Sequence, residues 1–223
     1  MKKLCLLTLI FISWLAQAQP SLSWQKLSTA PMTPRVDFGF FTIDSDFYMI
    51  GGIDSALHSY HDVWRYHIPS NQWMQMDTFP GGDIAETTGF SINKKGYICT
   101  GIYIDSFQSP LCGSLFWEYD PSIDKWTRKA DFPGDTREQA DAIAYGGNGY
   151  LGLGYNCSVM LRDLWRYSPD SDSWYKLDSF PAIGRTNSNI VALNNSLYFI
   201  GGLFITIQLQ QKSGDMILHS IGG

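Results

Sequence analysis

Three arginines occupy one position of a recurring pattern, four residues after a proline: Arg35, Arg137 and Arg185. Another copy of the pattern has Ile84 at this position, and Glu86 lies nearby. A guanidinium group binds a carboxylate through two parallel hydrogen bonds, and it also suits polar sugars. The pattern therefore predicts a ligand site that contains Arg35, Glu86, Arg137 and Arg185. The alternative is that each arginine pairs with backbone or with an acid inside the fold.

Other groups that could perform chemistry are few. His58 and His61 lie near Asp54 and Asp62, which are residue types that can bind a metal. They fall in a predicted loop, and Asp62 belongs to a repeated motif, so we predict no metal site. The sequence has no nucleophile elbow, no phosphate-binding loop and no paired-cysteine zinc spacing. We therefore predict no cofactor and assign no catalytic residue.

The N-terminus has the pattern of a secretory signal peptide. Lys2 and Lys3 precede an apolar run from Leu4 to Leu15, and Ala16-Gln17-Ala18 follows. Residues 1–18 are therefore predicted to be cleaved, which places the protein outside the cytoplasm, secreted, in a periplasm or at the cell surface. The alternative is an N-terminal membrane anchor, although the run is shorter than the roughly 20 residues that span a bilayer. No later apolar run reaches that length.

Charge and composition narrow the function classes. The chain has 21 acidic and 16 basic residues, a net charge of −5, and loss of Lys2 and Lys3 makes it more acidic. Nucleic-acid binding needs a basic face, so we predict no nucleic-acid partner. Aromatic residues make up 15% of the chain, and frequent glycine and proline interrupt every candidate helix, so the composition favours β structure.

Tryptophan reveals an internal repeat. One series is spaced by 49, 53 and 48 residues (Trp24, Trp73, Trp126, Trp174), and a second by 53 and 48 (Trp64, Trp117, Trp165). Within each copy, four short apolar stretches alternate with turn residues. This arrangement predicts four antiparallel strands, a to d, per repeat.

The repeat resembles the blade of a Kelch β-propeller. The resemblance rests on the glycines that end strand b, such as Gly51-Gly52, and on the tyrosine two residues after the strand c tryptophan. It also rests on the strand d tryptophan and the proline–arginine entry to strand a, and it covers residues 22–202. It implies an all-β propeller with three complete four-stranded blades and a partial fourth, in which the aromatic residues are core.

The predicted domain covers residues 19–202, with a divergent tail at 203–223. Its repeats lie at about 35–78, 84–131 and 137–179, a partial repeat lies at 185–202, and residues 22–28 are expected to supply a closing strand d. Kelch propellers generally have more blades, so three interpretations stay open: a truncated propeller, a compact four-bladed ring, or one part of an assembly. An unclosed edge predicts self-association.

Three cysteines follow the predicted signal peptide: Cys99, Cys112 and Cys157. Export permits disulfides. Cys112 and Cys157 lie in predicted b–c loops of neighbouring blades, whereas Cys99 lies on a strand b. We predict a Cys112–Cys157 disulfide with Cys99 as a buried free thiol. The alternative is three unpaired thiols.

The long b–c loops share one face with the arginine entries, which makes this face the predicted ligand surface. We expect a non-enzymatic interaction module that binds a protein or a carbohydrate. The alternative is a sugar-active enzyme, because Phe132-Pro133-Gly134 with Arg137 and Gln139-Ala140 is similar to the Kelch-type sialic acid mutarotases. The propeller also resembles that of galactose oxidase, but its copper ligands cannot be placed on this sequence.

Overall fold

The computed structural model describes residues 23–104 and 110–204. These residues form nineteen strands and no helix: β1 (Arg35–Val36), β2 (Gly39–Ile43), β3 (Asp46–Ile50), β4 (Ile53–Asp54), β5 (Val63–His67), β6 (Gln72–Met76), β7 (Ile84–Ala85), β8 (Thr88–Ile92), β9 (Lys95–Cys99), β10 (Ile102–Ile104), β11 (Pro110–Cys112), β12 (Phe116–Asp120), β13 (Lys125–Arg128), β14 (Asp141–Tyr145), β15 (Asn148–Gly152), β16 (Leu164–Ser168), β17 (Ser173–Leu177), β18 (Thr186–Leu193) and β19 (Ser196–Leu203). No described segment is a helix long and apolar enough to cross a membrane.

The strands form antiparallel blades in chain order. Blade 1 has the order β2-β3-β5-β6, blade 2 β8-β9-β12-β13 and blade 3 β14-β15-β16-β17, whereas the described part of blade 4 is the pair β18-β19. Two small sheets, β1-β4 and β11-β10-β7, order the connections at one face. The fold is a β-propeller with three complete blades and a partial fourth, which confirms the predicted class.

Buried apolar residues, mostly from the inner strands of each blade, fill the space between blades. In β2, Phe41 and Ile43 are buried, and the Phe41 ring stacks on Tyr48 with centroids 5.0 Å apart. Tyr119 of blade 2 packs against both rings. Equivalent clusters lie between blades 2 and 3 and between blades 3 and 4. The recurring tyrosine of strand c is therefore a core residue, as the repeat predicts.

The strand d tryptophans link each blade to the chain segment that precedes it. Their indole Nε1 groups donate to backbone carbonyls at the end of the preceding repeat: Trp73 to Ser28 (3.4 Å), Trp126 to Asp77 (3.2 Å) and Trp174 to Ala130 (3.1 Å). The backbone amides of these three acceptor residues donate in turn to side chains in the strand c–d turns of the same blades: Asn71, Asp124 and Asp172. One contact repeated at each blade junction explains the period of the tryptophan series.

The glycines at the end of strand b explain another repeated column. Gly52, Gly101 and Gly154 have φ values of 99°, 108° and 92°, a region that glycine adopts without strain. Their amides donate over 2.8 Å to the next repeat, at the carbonyls of Ile84, Arg137 and Arg185. A side chain at Gly154 would place its Cβ 2.7 Å from the Glu138 carbonyl, so this contact requires glycine.

The predicted closing strand at residues 22–28 is not a strand over its described part, 23–28, and Trp24 is fully exposed. A strand d needs a strand c beside it, and the described part of blade 4 ends with its second strand, β19. Ser28 nevertheless occupies the position that Asp77 and Ala130 hold in later repeats. The predicted tail 203–223 lies beyond the described residues except for positions 203 and 204.

The described residues form an open arc. The innermost strands of successive blades pack together in the order β2, β8, β14 and β18, and no comparable contact joins β18 to β2. Val191 and Leu193 on β18 are exposed at the open end. A compact four-bladed ring is therefore not the arrangement of the described residues.

Candidate functional site

A cavity of about 340 Å³ lies where the innermost strands of the four blades begin. We call it the axial cavity. Its polar lining includes one residue from an equivalent position in each of the four blades: Asp37, Glu86, Gln139 and Asn187. Phe38 and Phe40 add aromatic surface from blade 1. Every blade thus contributes to one concave site.

The four polar residues form what we call the axial ring. All four have a left-handed backbone, with φ values of 56° for Asp37, 53° for Glu86, 53° for Gln139 and 51° for Asn187. Non-glycine residues adopt this conformation at some cost, and such positions cluster at functional sites. The backbone amide of Glu86 donates to the Asp37 carbonyl over 2.7 Å, and that of Gln139 to the Glu86 carbonyl over 3.0 Å.

Side chains continue the axial ring. Gln139 Nε2 donates to Glu86 Oε2 over 2.5 Å, and Asn187 Nδ2 donates to Gln139 Oε1 over 3.1 Å. Sequence reasoning identified Glu86 and missed Asp37, Gln139 and Asn187. The signal was present, because the position two residues after the arginine column is polar in every repeat. The residue types differ, so an identity pattern does not reveal them.

The predicted arginines lie inside the blades. Arg137 is fully buried, and its two terminal nitrogens each donate over 2.8 Å to the Asp163 carboxylate, while Nη1 also donates to the Leu153 carbonyl. Arg35 makes the same pair with Asp62. Trp64 and Trp165 donate to these carboxylates over 2.7 Å. Each guanidinium charge is thereby neutralised within its own blade.

None of the three arginines lines the axial cavity. Arg185 is also buried, and it donates to the Gly201 and Ile183 carbonyls. The predicted ring of guanidinium groups around the mouth does not form, because a buried guanidinium is stabilised by close acceptors that lie inside each blade. Each of the three arginines instead pairs with backbone carbonyls or with an acid inside the fold, which was the alternative considered from sequence. Of the four predicted ligand residues, Glu86 alone lines the cavity.

Blade 2 lacks both members of this ion pair. Ile84 replaces the arginine, and Leu115 stands where blades 1 and 3 have the acid. Tyr103 packs against the core cluster that contains Ile84, and its hydroxyl donates to the Thr100 carbonyl over 3.3 Å. Trp117 Nε1 is buried and has no partner among the described residues. Joint loss of both charges indicates that the pair is structural.

Two carboxyl groups that line the axial cavity have raised pKa values. Burial raises the pKa of Asp141 to about 6, against the opposing effects of the hydrogen bond from Ser188 and the charge of Arg185. Burial also raises the pKa of Glu86, a shift that the Gln139 hydrogen bond opposes and the charge of Asp37 increases. These acids exchange protons closer to neutral pH than ordinary carboxyl groups do.

A disulfide lies beside the axial ring. Cys112 and Cys157 are joined, with Cα atoms 6.4 Å apart, whereas Cys99 is free and buried. A carboxylate oxygen of Glu138 and the two sulfur atoms lie within 4.8 Å of one another. Burial, together with the charge of Glu86, raises the pKa of Glu138 to about 7. Both sulfurs are committed to the bridge, so the set does not form a metal site in this state.

His58 and His61 do not converge on a common site. His61 Nδ1 lies 2.5 Å from Asp83, and His58 Nδ1 lies 3.4 Å from Asp54. Asp62, the remaining acid of the set considered from sequence, binds Arg35. The absence of a metal site and of a cofactor stays a prediction.

The family model for the KLHDC2/KLHL20/DRC7 Kelch-repeats domain matches residues 13–202. The chain belongs to the Kelch-repeat family. A solved structure described as that of YjhT superposes on this Kelch propeller with a TM-score of 0.70 and 20% identity, over 81% of this chain and 63% of that one. At that identity the likeness concerns the fold alone, and the chain spans less than two thirds of that structure.

Two curated proteins resemble part of this Kelch chain. They are the N-acetylneuraminate epimerases of Haemophilus influenzae strains PittEE and 86-028NP. Each is 27% identical over 92 residues, which is 40% of this chain and 24% of the epimerase. The matched part therefore spans about a quarter of these relatives.

Proposed function

We propose that the axial cavity binds a small neutral polyhydroxyl ligand of the monosaccharide class, and that the chain is a non-enzymatic Kelch-repeat binding module. The observation that carries this proposal is the axial ring. It places hydrogen-bonding side chains from four blades around one cavity. The N-terminal sequence supports the further proposal that the module acts after export.

The chemistry of the lining suits sugar hydroxyls. Asp37 and Glu86 accept hydrogen bonds, whereas the amides of Gln139 and Asn187 both donate and accept. Phe40 is 54% exposed, and its ring offers an apolar surface to the C–H face of a pyranose. Small-molecule sites commonly combine apolar surface with a few placed polar groups.

Charge favours a neutral ligand. Asp37, Glu86 and Asp141 line the axial cavity, and no described lysine or arginine does. The nearby arginines Arg35 and Arg137 are already paired with acids. Arg185 lies near Asp141 but outside the lining, and its charge acts on Asp141. An anionic sugar would therefore meet carboxylates with no cation in the lining to pair with.

A second candidate is a sugar-active enzyme. The pKa values of about 7 for Glu138 and about 6 for Asp141 suit proton transfer near neutral pH, which is the requirement of a general acid or base. The partial likeness to N-acetylneuraminate epimerase points the same way. Following the anomeric exchange of free sugars by NMR separates the candidates, since a binding module leaves the exchange rate unchanged.

The binding proposal is tested by titrating the protein with free sugars in a calorimeter. The panel pairs neutral sugars (glucose, galactose, N-acetylglucosamine) with acidic ones (glucuronate, N-acetylneuraminate). We expect a neutral sugar to bind, and Gln139→Asn to weaken it about fivefold, because one hydrogen bond is worth about 1 kcal/mol. Asparagine tolerates the left-handed backbone at this position.

Gln75→Ala is the matched control, because Gln75 is exposed on strand d of blade 1, outside the axial cavity. We expect it to leave the affinity unchanged. Binding of the acidic sugars alone, or equal weakening by both variants, would contradict the proposal.

A further inference from the structure

The disulfide lies at the ligand face, beside the axial ring, and its two sulfurs differ in exposure. Cys157 is exposed in the b–c loop of blade 3, whereas Cys112 is half-buried at the end of β11 in blade 2. An external nucleophile therefore reaches the Cys157 sulfur more readily than the Cys112 sulfur.

Blades 2 and 3 do not depend on this bridge for their contact. The Gly101 amide donates to the Arg137 carbonyl over 2.8 Å, and the Arg137 amide donates to the Gly113 carbonyl over 3.1 Å. A cluster of buried aromatic and aliphatic residues also joins the two blades. Opening the disulfide would thus leave the blade interface in place and release only the loops.

Glu138 places a carboxyl group beside the disulfide. Its backbone amide donates to the Tyr155 carbonyl over 2.9 Å, which fixes the residue beside the loop that carries Cys157. No described group donates to its side-chain carboxyl. That carboxyl lies within 4.8 Å of both sulfurs. The Glu138 carboxyl is thus a potential proton donor close to the Cys112–Cys157 bond.

We propose that Cys112–Cys157 is a reactive disulfide that exchanges with small external thiols, with Cys157 Sγ as the atom attacked and Glu138 as the proton donor to the departing Cys112 sulfur. The site thereby becomes a place of reversible thiol modification, separate from the axial ligand site. This inference does not depend on sugar binding.

The reaction balances in two steps. A thiolate attacks Cys157 Sγ, a mixed disulfide forms there, the Cys112–Cys157 bond breaks, and the Cys112 thiolate takes the proton of Glu138. A second thiolate attacks the external sulfur of the mixed disulfide and releases the Cys157 thiolate, which is protonated by solvent. The two external thiols are oxidised to their disulfide, and the protein is reduced to two thiols.

The protonation state of Glu138 gives the reaction a distinctive pH dependence. Its raised pKa of about 7 keeps the carboxyl protonated in mildly acidic solution, where it can donate. Above that pH its negative charge opposes the departing thiolate. The charged group that affects its titration is Glu86, while the neighbouring Arg137 is committed to Asp163.

The test measures the reduction of the native protein by 2-mercaptoethanol between pH 6 and pH 8, with each rate divided by the thiolate concentration. Unassisted exchange gives a constant rate per thiolate. We expect the rate per thiolate to fall about tenfold over this range, as the protonated fraction of a group with a pKa near 7 falls. Glu138→Gln should give a flat profile, and Glu138→Asp should restore the slope in part.

Asp170→Asn is the matched control, because Asp170 is an exposed acid in a strand c–d turn. Its profile should match that of the unmodified protein. Mass spectrometry of the Cys112→Ser variant treated with glutathione disulfide should locate the adduct on Cys157. A flat profile for the unmodified protein, an unchanged slope in Glu138→Gln, or the absence of an adduct on Cys157 would overturn the proposal.

Discussion

At the scale of single residues, the repeated arginines have a structural role, whereas the polar residues two positions later in each repeat line the axial cavity. Arg35 and Arg137 are buried and paired with Asp62 and Asp163, so their charges stabilise the blades. The following polar residues, such as Gln139, line the axial cavity instead. Repetition of a residue type is thus consistent with either role, and the position of the partner acid decides between them.

The ion pair of blade 3 can be compared with its apolar replacement in blade 2. Asp163→Asn leaves the buried Arg137 charge uncompensated, so we expect it to lower the free energy of unfolding by about 3 kcal/mol. The double variant Arg137→Ile with Asp163→Leu copies Ile84 and Leu115, and we expect it to recover most of this loss. Urea unfolding measures both, and a double variant less stable than Asp163→Asn would contradict the structural role.

Asp141 makes stability depend on pH in a predictable direction. Its pKa of about 6 in the folded state lies above the unfolded value near 4, so the folded state binds more protons between these values. Its contribution to stability is present below pH 4 and lost as pH rises through 6. Asp141→Asn should therefore gain roughly 2 kcal/mol relative to the unmodified protein between pH 4 and pH 7. Asp170→Asn should show no such gain, and a pH-independent difference for Asp141→Asn would refute the assignment.

At the scale of strands and loops, the sequence predicts the blades well because their junctions repeat. Trp126 and Trp174 make the same contact to the preceding repeat, so the spacing of their residue type follows the spacing of the blades. The axial ring was not predicted, since any polar side chain at that position can face the cavity. The paired acids were visible in sequence, where they precede the strand c tryptophan by two residues only in repeats that also carry the arginine.

Chemical labelling can test the cysteine arrangement, in which Cys112 and Cys157 are bridged and Cys99 is a free thiol. Cys99 is fully buried, and burial raises its thiol pKa well above the ordinary range. We expect no alkylation of Cys99, Cys112 or Cys157 in the native protein without reductant, and alkylation of Cys99 alone after unfolding in guanidinium. Peptide mapping reads each position separately. Labelling of Cys112 and Cys157 without reductant would show that the bridge is absent in solution.

At the scale of the whole molecule, the described residues form an arc whose last blade has a free face. Val191 and Leu193 are exposed there, and no described strand lies beyond β19 in its sheet. Exposed apolar sheet faces and edges promote pairing between molecules. We therefore propose that isolated chains associate through blade 4.

Sedimentation velocity tests this association across a concentration series. Leu193→Glu places a charge on the open face and should shift the distribution towards the monomer. Ile68→Glu is the matched control, because Ile68 is equally exposed, at 58%, in a turn of blade 1. A monomer at all concentrations, or the same shift in both variants, would contradict association through blade 4.

We propose that the axial ring, and not the repeated arginines, receives the ligand. The most direct measurement is a ¹⁵N-resolved NMR titration of the protein with the neutral sugar that binds in the calorimetric panel. We predict that the largest shifts occur at the backbone amides of Asp37, Glu86, Gln139 and Asn187, which come from four blades and meet at one cavity. Shifts confined to the outer strands or to the tips of the b–c loops, with the four amides unchanged, would contradict the claim.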